Sequence, residues 1–222
     1  RLVHRVFTSF RESAAYFPPS KVVLTGTPVR WRTPPIAGRE ERFHLFVFGG
    51  SAGARRINEV VVSALAHLGE AAARFRVTHQ TGWADEELVR EGYESLPCQV
   101  EVLPFIDRMD IAYASADLVV CRAGASTLSE LTVFGKPSIL IPYPHAAHDH
   151  QRLNALALEK AGAAEVIVEQ ELTATRLGET IQRLHGDAGR RDAMGRTAAS
   201  LSRGDAAERI VDECCALVPG WS

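Results

Sequence analysis

The sequence predicts an α/β fold with a doubly wound, parallel, six-stranded sheet of the Rossmann-like kind. From residue 43 onward, short β-branched runs alternate six times with segments of helical spacing, the pattern produced by right-handed β-α-β crossovers. Runs such as FHLFVF and DLVVC are almost wholly apolar, as in strands that are covered on both faces. Ligands of such sheets bind beyond the carboxyl ends of the strands, so we expect the functional residues in the loops that follow them.

The predicted strands and helices follow one another in regular order. The strands cover residues 43–48, 75–80, 99–105, 117–121, 137–142 and 164–168. The helices that follow them cover residues 54–68, 84–91, 109–116, 126–134, 148–161 and 173–184. After His185 the polar, Ala/Arg-rich sequence predicts one or two terminal helices, with breaks at Gly195 and Gly204 because glycine favours helix ends.

The chain divides into four predicted segments. Residues 1–24 are expected to be the tail of an upstream domain, and residues 25–42, rich in Arg and Pro, an interdomain linker. Residues 43–185 form the Rossmann-like domain, and residues 186–222 form the terminal helices. Since the first residue is not Met, we expect the chain to be part of a longer protein.

Composition narrows the class of protein. With 222 residues, 46% of them hydrophobic, and a net charge of -2, the chain is globular and is expected to bind no nucleic acid. It contains no apolar run near the ~20 residues of a spanning helix. The cysteines lack metal-type spacing, which favours reduced thiols in a cytosolic protein; they are Cys98, Cys121, Cys214 and Cys215.

The first candidate site is the stretch GGSAGA, residues 49–54, after the first strand of the sheet. Its glycines permit a tight turn and a close approach to a ligand, and the following helix points free N–H groups and its positive dipole end at the loop. With the Ser51 hydroxyl, this predicts a seat for a phosphate or diphosphate. A turn that holds no ligand is the alternative. The common mononucleotide and dinucleotide glycine motifs are absent.

The second candidate site is the loop at residues 121–137. Gly124 ends a strand, and Ser126 and Thr127 open a helix whose first turn is expected to carry Glu130. A carboxylate there is suited to accept hydrogen bonds from the two hydroxyls of a ribose. The alternative is that Thr127 and Glu130 form a capping box that serves only their own helix.

The third candidate site is the polar loop and helix start at residues 142–155. Gln151 and Asn154 are three residues apart, so they share a helix face and could bind sugar hydroxyls. A metal site is the alternative, although no clear H-x-x-x-H spacing is present. Its ligands would be His145, His148, Asp149 and His150.

Five stretches together carry a family resemblance. They are GTPVR (26–30), GGSAGA (49–54), FIDRM (105–109), RAGASTLSEL (122–131) and DHQRLNALALEKAGAA (149–164). In this order the chain, from about residue 25 to residue 185, resembles the carboxyl-terminal half of the MurG family of bacterial glycosyltransferases. The resemblance implies a GT-B enzyme with two Rossmann-like domains. Such an enzyme moves N-acetylglucosamine from UDP-N-acetylglucosamine to the undecaprenyl-linked muramyl-pentapeptide of peptidoglycan synthesis, with inversion and without a cofactor or metal.

The resemblance also implies roles for individual residues. Arg30 and Ser51, with Gly50 in the same loop as Ser51, would contact the nucleotide and diphosphate, and the Ile106 backbone would meet the uracil edge. Gln151, with Asn154 beside it, would hold the sugar. The phosphates and ribose would be wrapped by Ala125, Ser126, Thr127, Leu128, Ser129 and Glu130, with Glu130 on the ribose hydroxyls.

Two departures from the family pattern qualify these expectations. Ala52 stands where the family commonly has Gln, which removes a polar contact near the diphosphate. The half that carries the proposed general base and the acceptor loop is absent, so we expect no catalytic base in this chain and little turnover. The whole enzyme would be cytoplasmic and peripheral on the inner face of the bacterial membrane. A free-standing UDP-sugar-binding subunit of a split transferase is the alternative, and a nucleotide-sugar epimerase is a less favoured one.

Overall fold

The computed structural model describes residues 3–9, 14, 16–30 and 41–218. Two short strands, β1 (Val6–Thr8) and β2 (Val22–Leu24), form a separate parallel pair near the start of the chain. The main sheet contains β3 (Phe43–Phe48), β4 (Phe75–Gln80), β5 (Gln99–Leu103), β6 (Leu118–Cys121), β7 (Ser138–Leu140) and β8 (Ala164–Val166). Its strands are all parallel and run in the order β5-β4-β3-β6-β7-β8. The predicted six-stranded parallel sheet is confirmed.

Eight α-helices lie in the described residues. They are α1 (Arg55–His67), α2 (Glu86–Tyr93), α3 (Met109–Ser115), α4 (Ala125–Val133), α5 (His150–Ala161), α6 (Ala174–Gly186), α7 (Ala188–Ser200) and α8 (Ala206–Cys215). None of the helices in these residues is long and apolar enough to cross a bilayer. All four cysteines are free thiols.

The sheet is covered on both faces, as the apolar strand sequences predict. Along β3, Leu45 and Val47 face a core cluster that includes Ile57 of α1, whereas Phe46 and Phe48 face a second cluster on the other side. All six residues of β3 are buried. The central strand therefore has no solvent-facing side, which explains why its sequence shows no polar alternation.

The terminal helices correct one prediction and confirm another. Gly204 lies in the break between α7 and α8, as expected, but α7 continues through Gly195. A Cβ on Gly195 would lie 2.7 Å from the Gly135 carbonyl oxygen, so this glycine allows a close helix-to-loop contact rather than a break. After the break at Gly204, α8 returns to the start of the chain. Arg5, which directly precedes β1, has its Nε 3.2 Å from Glu213 Oε2 of α8. Most of the predicted linker, residues 31–40, lies outside the described residues.

Candidate functional site

The site lies where the strand order reverses. β3 pairs with β4 on one side and with β6 on the other, so the chain winds away from this point in both directions. Phe48 and Cys121, the last residues of β3 and β6, are direct partners in the sheet. The loops that follow them therefore begin side by side at the carboxyl edge, which is the crevice where doubly wound sheets bind ligands.

The loop after β3 is a tight glycine turn that leads into α1. Gly50 has φ 101° and Gly53 has φ 78°, a region that glycine adopts readily. The Gly53 N–H donates to the Gly50 carbonyl at 2.8 Å, and Gln80 Nε2 donates to the same carbonyl at 3.2 Å. Ser51 is exposed. Among the described residues no side chain caps α1, so its first N–H groups are available to an anion.

Ala52 contributes backbone to this turn and leaves its side chain in solvent. It is exposed, and a Cβ on Gly82 would lie 2.6 Å from the Ala52 carbonyl oxygen. The turn is therefore packed against the loop after β4 through backbone atoms. Because Ala52 is exposed, a larger side chain at position 52 would extend into solvent.

The helix after β6 begins one residue earlier than predicted, and the capping-box interpretation is wrong. The N-cap of α4 is Gly124, and no side chain of the described residues caps it. Thr127 thus lies inside the first turn rather than at the cap. Glu130 instead accepts a hydrogen bond from Tyr113 Oη, at 2.9 Å from Glu130 Oε2.

The other residues at the start of α4 differ in their exposure and in their hydrogen-bond partners. Ala125 and Ser126 open the helix, and Ser126 is exposed at the edge of the crevice. Ser129 Oγ donates to the Ala125 carbonyl at 3.0 Å. Leu128 is fully buried and its N–H donates to the Gly124 carbonyl, so Leu128 supports the helix from the core and offers a ligand no free polar group.

Glu130 is a partly desolvated carboxylate. Burial raises its pKa, and the hydrogen bond from the Tyr113 hydroxyl partly opposes that rise. The pKa of Tyr113 is itself held well above 10, first by burial and then by the nearby Glu130 charge. Tyr113 binds Oε2, and in the described part of the chain no donor is bonded to Oε1. Glu130 can therefore accept further hydrogen bonds, such as those of a diol.

Gln151 joins two loops of the crevice. Its Oε1 accepts hydrogen bonds from the Ala123 N–H at 3.2 Å and from the Tyr143 N–H at 3.0 Å. These N–H groups belong to the loops after β6 and β7, so one side chain holds the two loops together. The amide nitrogen Nε2 donates to no other described residue and remains able to bind a ligand hydroxyl. Asn154, one turn later on α5, is 7% exposed.

Arg122, which was not among the predicted site residues, joins loops at the carboxyl edge of the sheet. Its Nη1 lies 3.3 Å from the Ile141 carbonyl and 3.2 Å from the Pro142 carbonyl, and its Nη2 lies 2.5 Å from Glu169 Oε2. The guanidinium also lies 5.3 Å from the Tyr143 ring. Its position directly after β6, at the carboxyl edge, was the available signal.

The start of α5 is unusual. His148 and Asp149 have φ values of 51° and 54°, which few residues other than glycine adopt. Asp149 Oδ2 accepts from Arg152, and the His150 ring bonds the Ala147 carbonyl. Across the described ranges no group of three or more His, Cys, Asp or Glu lies together in a way that could hold a metal ion. The metal alternative for this loop, which includes His145, gains no support.

Two further predicted contacts are Ile106 and Arg30. Ile106, after β5, is half-buried and packs against the core cluster that contains Tyr113, while its neighbour Phe105 is 46% exposed. Arg30 is exposed and ends the described stretch 16–30. The structure thus brings Gly50, Ser51 and the start of α4 to one edge of the sheet, with the loops joined by Gln151 beside them.

A parallel α/β domain with an uncapped helix and a glycine turn at its switch point belongs to the class of doubly wound, Rossmann-like domains. The chain belongs to glycosyltransferase family 28: the family model described as "Glycosyltransferase family 28 C-terminal domain" matches residues 44–210.

Similar proteins confirm the resemblance to the MurG family. The chain is 50% identical over 219 residues to the "UDP-N-acetylglucosamine--N-acetylmuramyl-(pentapeptide) pyrophosphoryl-undecaprenol N-acetylglucosamine transferase" of Geobacter metallireducens, covering 96% of this chain and 60% of that protein. The protein of the same name from Myxococcus xanthus is 48% identical over 222 residues, covering 98% of this chain and 58% of its own length. The crystal structure of Acinetobacter baumannii MurG matches with a TM-score of 0.73 and 31% identity, over 79% of this chain and 50% of that one. The chain thus spans about 60% of the length of these relatives.

Proposed function

We propose that this chain is the donor-binding half of an inverting glycosyltransferase that moves N-acetylglucosamine from UDP-N-acetylglucosamine to lipid-linked muramyl-pentapeptide. The observation that carries the proposal is the pairing of Phe48 with Cys121. That pairing sets an uncapped helix start with a positive-φ glycine beside a helix whose Glu130 carboxylate has an oxygen free to accept. Together they offer donors for a diphosphate and an acceptor for a ribose.

The chemistry follows from the charge that develops during transfer. As the acceptor hydroxyl attacks the anomeric carbon, the sugar–phosphate bond breaks and negative charge collects on UDP. The N–H groups at the start of α1, with the helix dipole, stabilise that charge. Glu130 would hold the ribose, Gln151 Nε2 would hold the sugar, and the Ile106 backbone and Arg30 would bind the uracil and the nucleotide.

The acceptor side of the reaction needs a second domain. A base and the acceptor hydroxyl must lie within hydrogen-bond reach on the far side of the anomeric carbon. We assign both to a domain outside this chain, because the relatives are longer than the part that this chain covers. We place the whole enzyme on the cytoplasmic face of the membrane, peripherally, because its acceptor is lipid-linked.

Two other functions remain distinguishable by simple observations. A free-standing subunit of a split transferase would be encoded without a further domain upstream, whereas a reading frame that continues about 150 residues, roughly one domain, would favour the single enzyme. An epimerase on the same fold would release free epimerised sugar.

Calorimetric titration with UDP-N-acetylglucosamine, UDP-N-acetylgalactosamine and UDP tests the proposal. We expect the first to bind, with a stabilisation of about 2.7 kcal/mol at a hundredfold excess over Kd. Residues 1–222 alone should transfer no sugar to the lipid-linked acceptor, and transfer should appear when the upstream domain is restored in cis or as a partner. The absence of any stabilisation by these ligands would contradict the proposal, and efficient transfer by the chain alone would move the base into it.

A further inference from the structure

A buried network of hydrogen-bonded polar side chains, the polar network, lies directly behind the glycine turn. It joins Tyr93 of α2, His79 of β4, Asn58 of α1 and Asp85 at the start of α2. The Tyr93 hydroxyl is 3.0 Å from His79 Nδ1, and His79 Nε2 is 3.1 Å from Asn58 Oδ1. Asn58 Nδ2 lies 3.0 Å from Asp85 Oδ2. His79 is 0% exposed and Asn58 is 1% exposed, so this polar network is inaccessible to substrate.

The partners in the polar network determine which atom donates in each of its hydrogen bonds. Asn58 Nδ2 donates to the Thr81 carbonyl, 3.0 Å away, as well as to Asp85, so Oδ1 is the acceptor that faces His79. His79 must then carry its proton on Nε2, and Nδ1 accepts from Tyr93. Burial lowers the pKa of His79 to about 3, which keeps the ring neutral, and the hydrogen bonds to Asn58 and Tyr93 select this tautomer.

The Thr81 carbonyl connects the polar network to the glycine turn. A Cβ on Gly53 would lie only 2.0 Å from that carbonyl oxygen, so the carbonyl is pressed against the Gly53 backbone. Asn58 reaches it from the first turns of α1, the helix that the glycine turn enters. The turn is thus bounded on one side by Thr81 and on the other by the helix that carries Asn58.

We propose that His79, through Asn58, is a positioning residue that holds the Thr81 carbonyl against Gly53 and thereby fixes the shape of the diphosphate-binding turn. The inference rests on the proposed function for its effect on UDP, but its effect on the turn does not. His79 touches no substrate. His79 donates to Asn58 Oδ1. Without that donor the buried oxygen would be left unsatisfied, and the Asn58 amide, now bound through Nδ2 alone, would hold the Thr81 carbonyl less firmly.

Two variants that each remove one buried hydroxyl, on opposite sides of β4, give a matched test. Tyr93→Phe removes the hydrogen bond to His79, while Thr78→Val removes a comparable buried one, Thr78 Oγ1 to the His44 ring at 2.9 Å on the opposite face. His79→Gln is the stronger variant, because it replaces the ring that donates to Asn58 Oδ1. For each protein the UDP dissociation constant, the thermal midpoint and the amide exchange rate of Gly53 are measured.

We expect all three variants to lose thermal stability, but only Tyr93→Phe and His79→Gln to speed Gly53 exchange and to weaken UDP binding, by roughly 3- to 30-fold, the range for residues that act through a network. Equal Gly53 exchange in Tyr93→Phe and Thr78→Val would overturn the inference, whether or not His79→Gln folds. If the wild-type chain does not bind UDP, the proposed function fails, and the Gly53 exchange rates still decide this inference.

Discussion

The two sides of the candidate crevice are built differently. After β3, the ligand would meet backbone: an uncapped helix start and Gly50, with the polar side chains Asn58 and His79 buried behind the turn. After β6, it would meet side chains, because Glu130 and Gln151 reach out from α4 and α5. A backbone site is disrupted when any side chain enters its space, whereas a side-chain site loses its contacts one at a time. Substitutions on the two sides should therefore differ in size and kind.

The largest effect is expected for Gly50→Val. A Cβ on Gly50 would meet no protein atom within 4 Å, so a valine there would fill space that the proposed diphosphate occupies. UDP binding should fall more than about 100-fold, since the backbone donors cannot be approached.

Gly69→Val is the matched control for Gly50→Val. Gly69 has φ 53° and also lacks any contact for a Cβ within 4 Å, but it lies after α1, far along the chain from the crevice loops. Both variants should lose about 1–2 kcal/mol of unfolding free energy from the left-handed backbone. Calorimetry that finds UDP binding equally retained in both would place the diphosphate away from Gly50.

Glu130→Ala should have the next largest effect. Loss of hydrogen bonds to a charged group is expected to weaken UDP binding by about 1.5 to 3 kcal/mol. Asp187→Ala is the control, because Asp187 caps α7 by accepting from the Arg190 N–H at 2.8 Å, and its loss should cost about 1 kcal/mol of stability without changing UDP binding. If Glu130→Ala behaves like Asp187→Ala, then Glu130 serves the helix and not a ligand.

The raised pKa of Glu130 predicts a pH dependence with opposite signs for stability and binding. Because burial raises the folded-state pKa above its ordinary value of 4.5, the contribution of Glu130 to unfolding free energy is largest at low pH and is lost as pH rises through the raised pKa. Ribose hydroxyls donate to the ionised form, so affinity should instead be lost as pH falls through the same pKa.

The binding measurement for this pH prediction should use UDP-N-acetylglucosamine, whose diphosphate lacks the free terminal phosphate of UDP and its titration. The affinity should fall by at most about tenfold per pH unit below the raised pKa. In Glu130→Gln the dependence should disappear. A pH profile that is the same in both proteins would exclude Glu130 as the ribose acceptor.

The fold was largely predictable because the sheet is doubly covered. β3 and β4 lie at the residues predicted, 43–48 and 75–80. β3 is an almost wholly apolar run that ends at glycines, whereas β4 contains four polar residues and was indicated by its place between two helical segments. The end of β5 was overestimated by two residues, since Leu103 precedes a proline that cannot donate to the ladder. α5 begins later than predicted, at His150, because His148 and Asp149 adopt positive φ, which no residue pattern announces.

The candidate site was predictable in position but not in its internal contacts. The strand-end rule placed Gly50 and Glu130 at one edge of the sheet. It could not show that Tyr113 binds Glu130, because Tyr113 is 17 residues away on a different helix. The same holds for Asn58 and His79, 21 residues apart. Local spacing left a capping box as the alternative for Glu130, which needs Thr127 at the N-cap. The N-cap is Gly124, three residues earlier, so that alternative is wrong.

The smallest effect is expected for Gln151→Glu, which separates the two tasks of Gln151. A carboxylate can still accept from the Ala123 and Tyr143 N–H groups, so the loops should stay joined and the thermal midpoint should change little. It has no Nε2 donor, however, and cannot donate to a sugar hydroxyl. UDP-N-acetylglucosamine binding should weaken by about 0.5–1.5 kcal/mol more than UDP binding, the value of one hydrogen bond. The added negative charge does not imitate this result, because it repels UDP, the more highly charged ligand, at least as strongly. Parallel titrations that show equal losses for the two ligands would limit Gln151 to joining the loops and would leave the sugar to other residues.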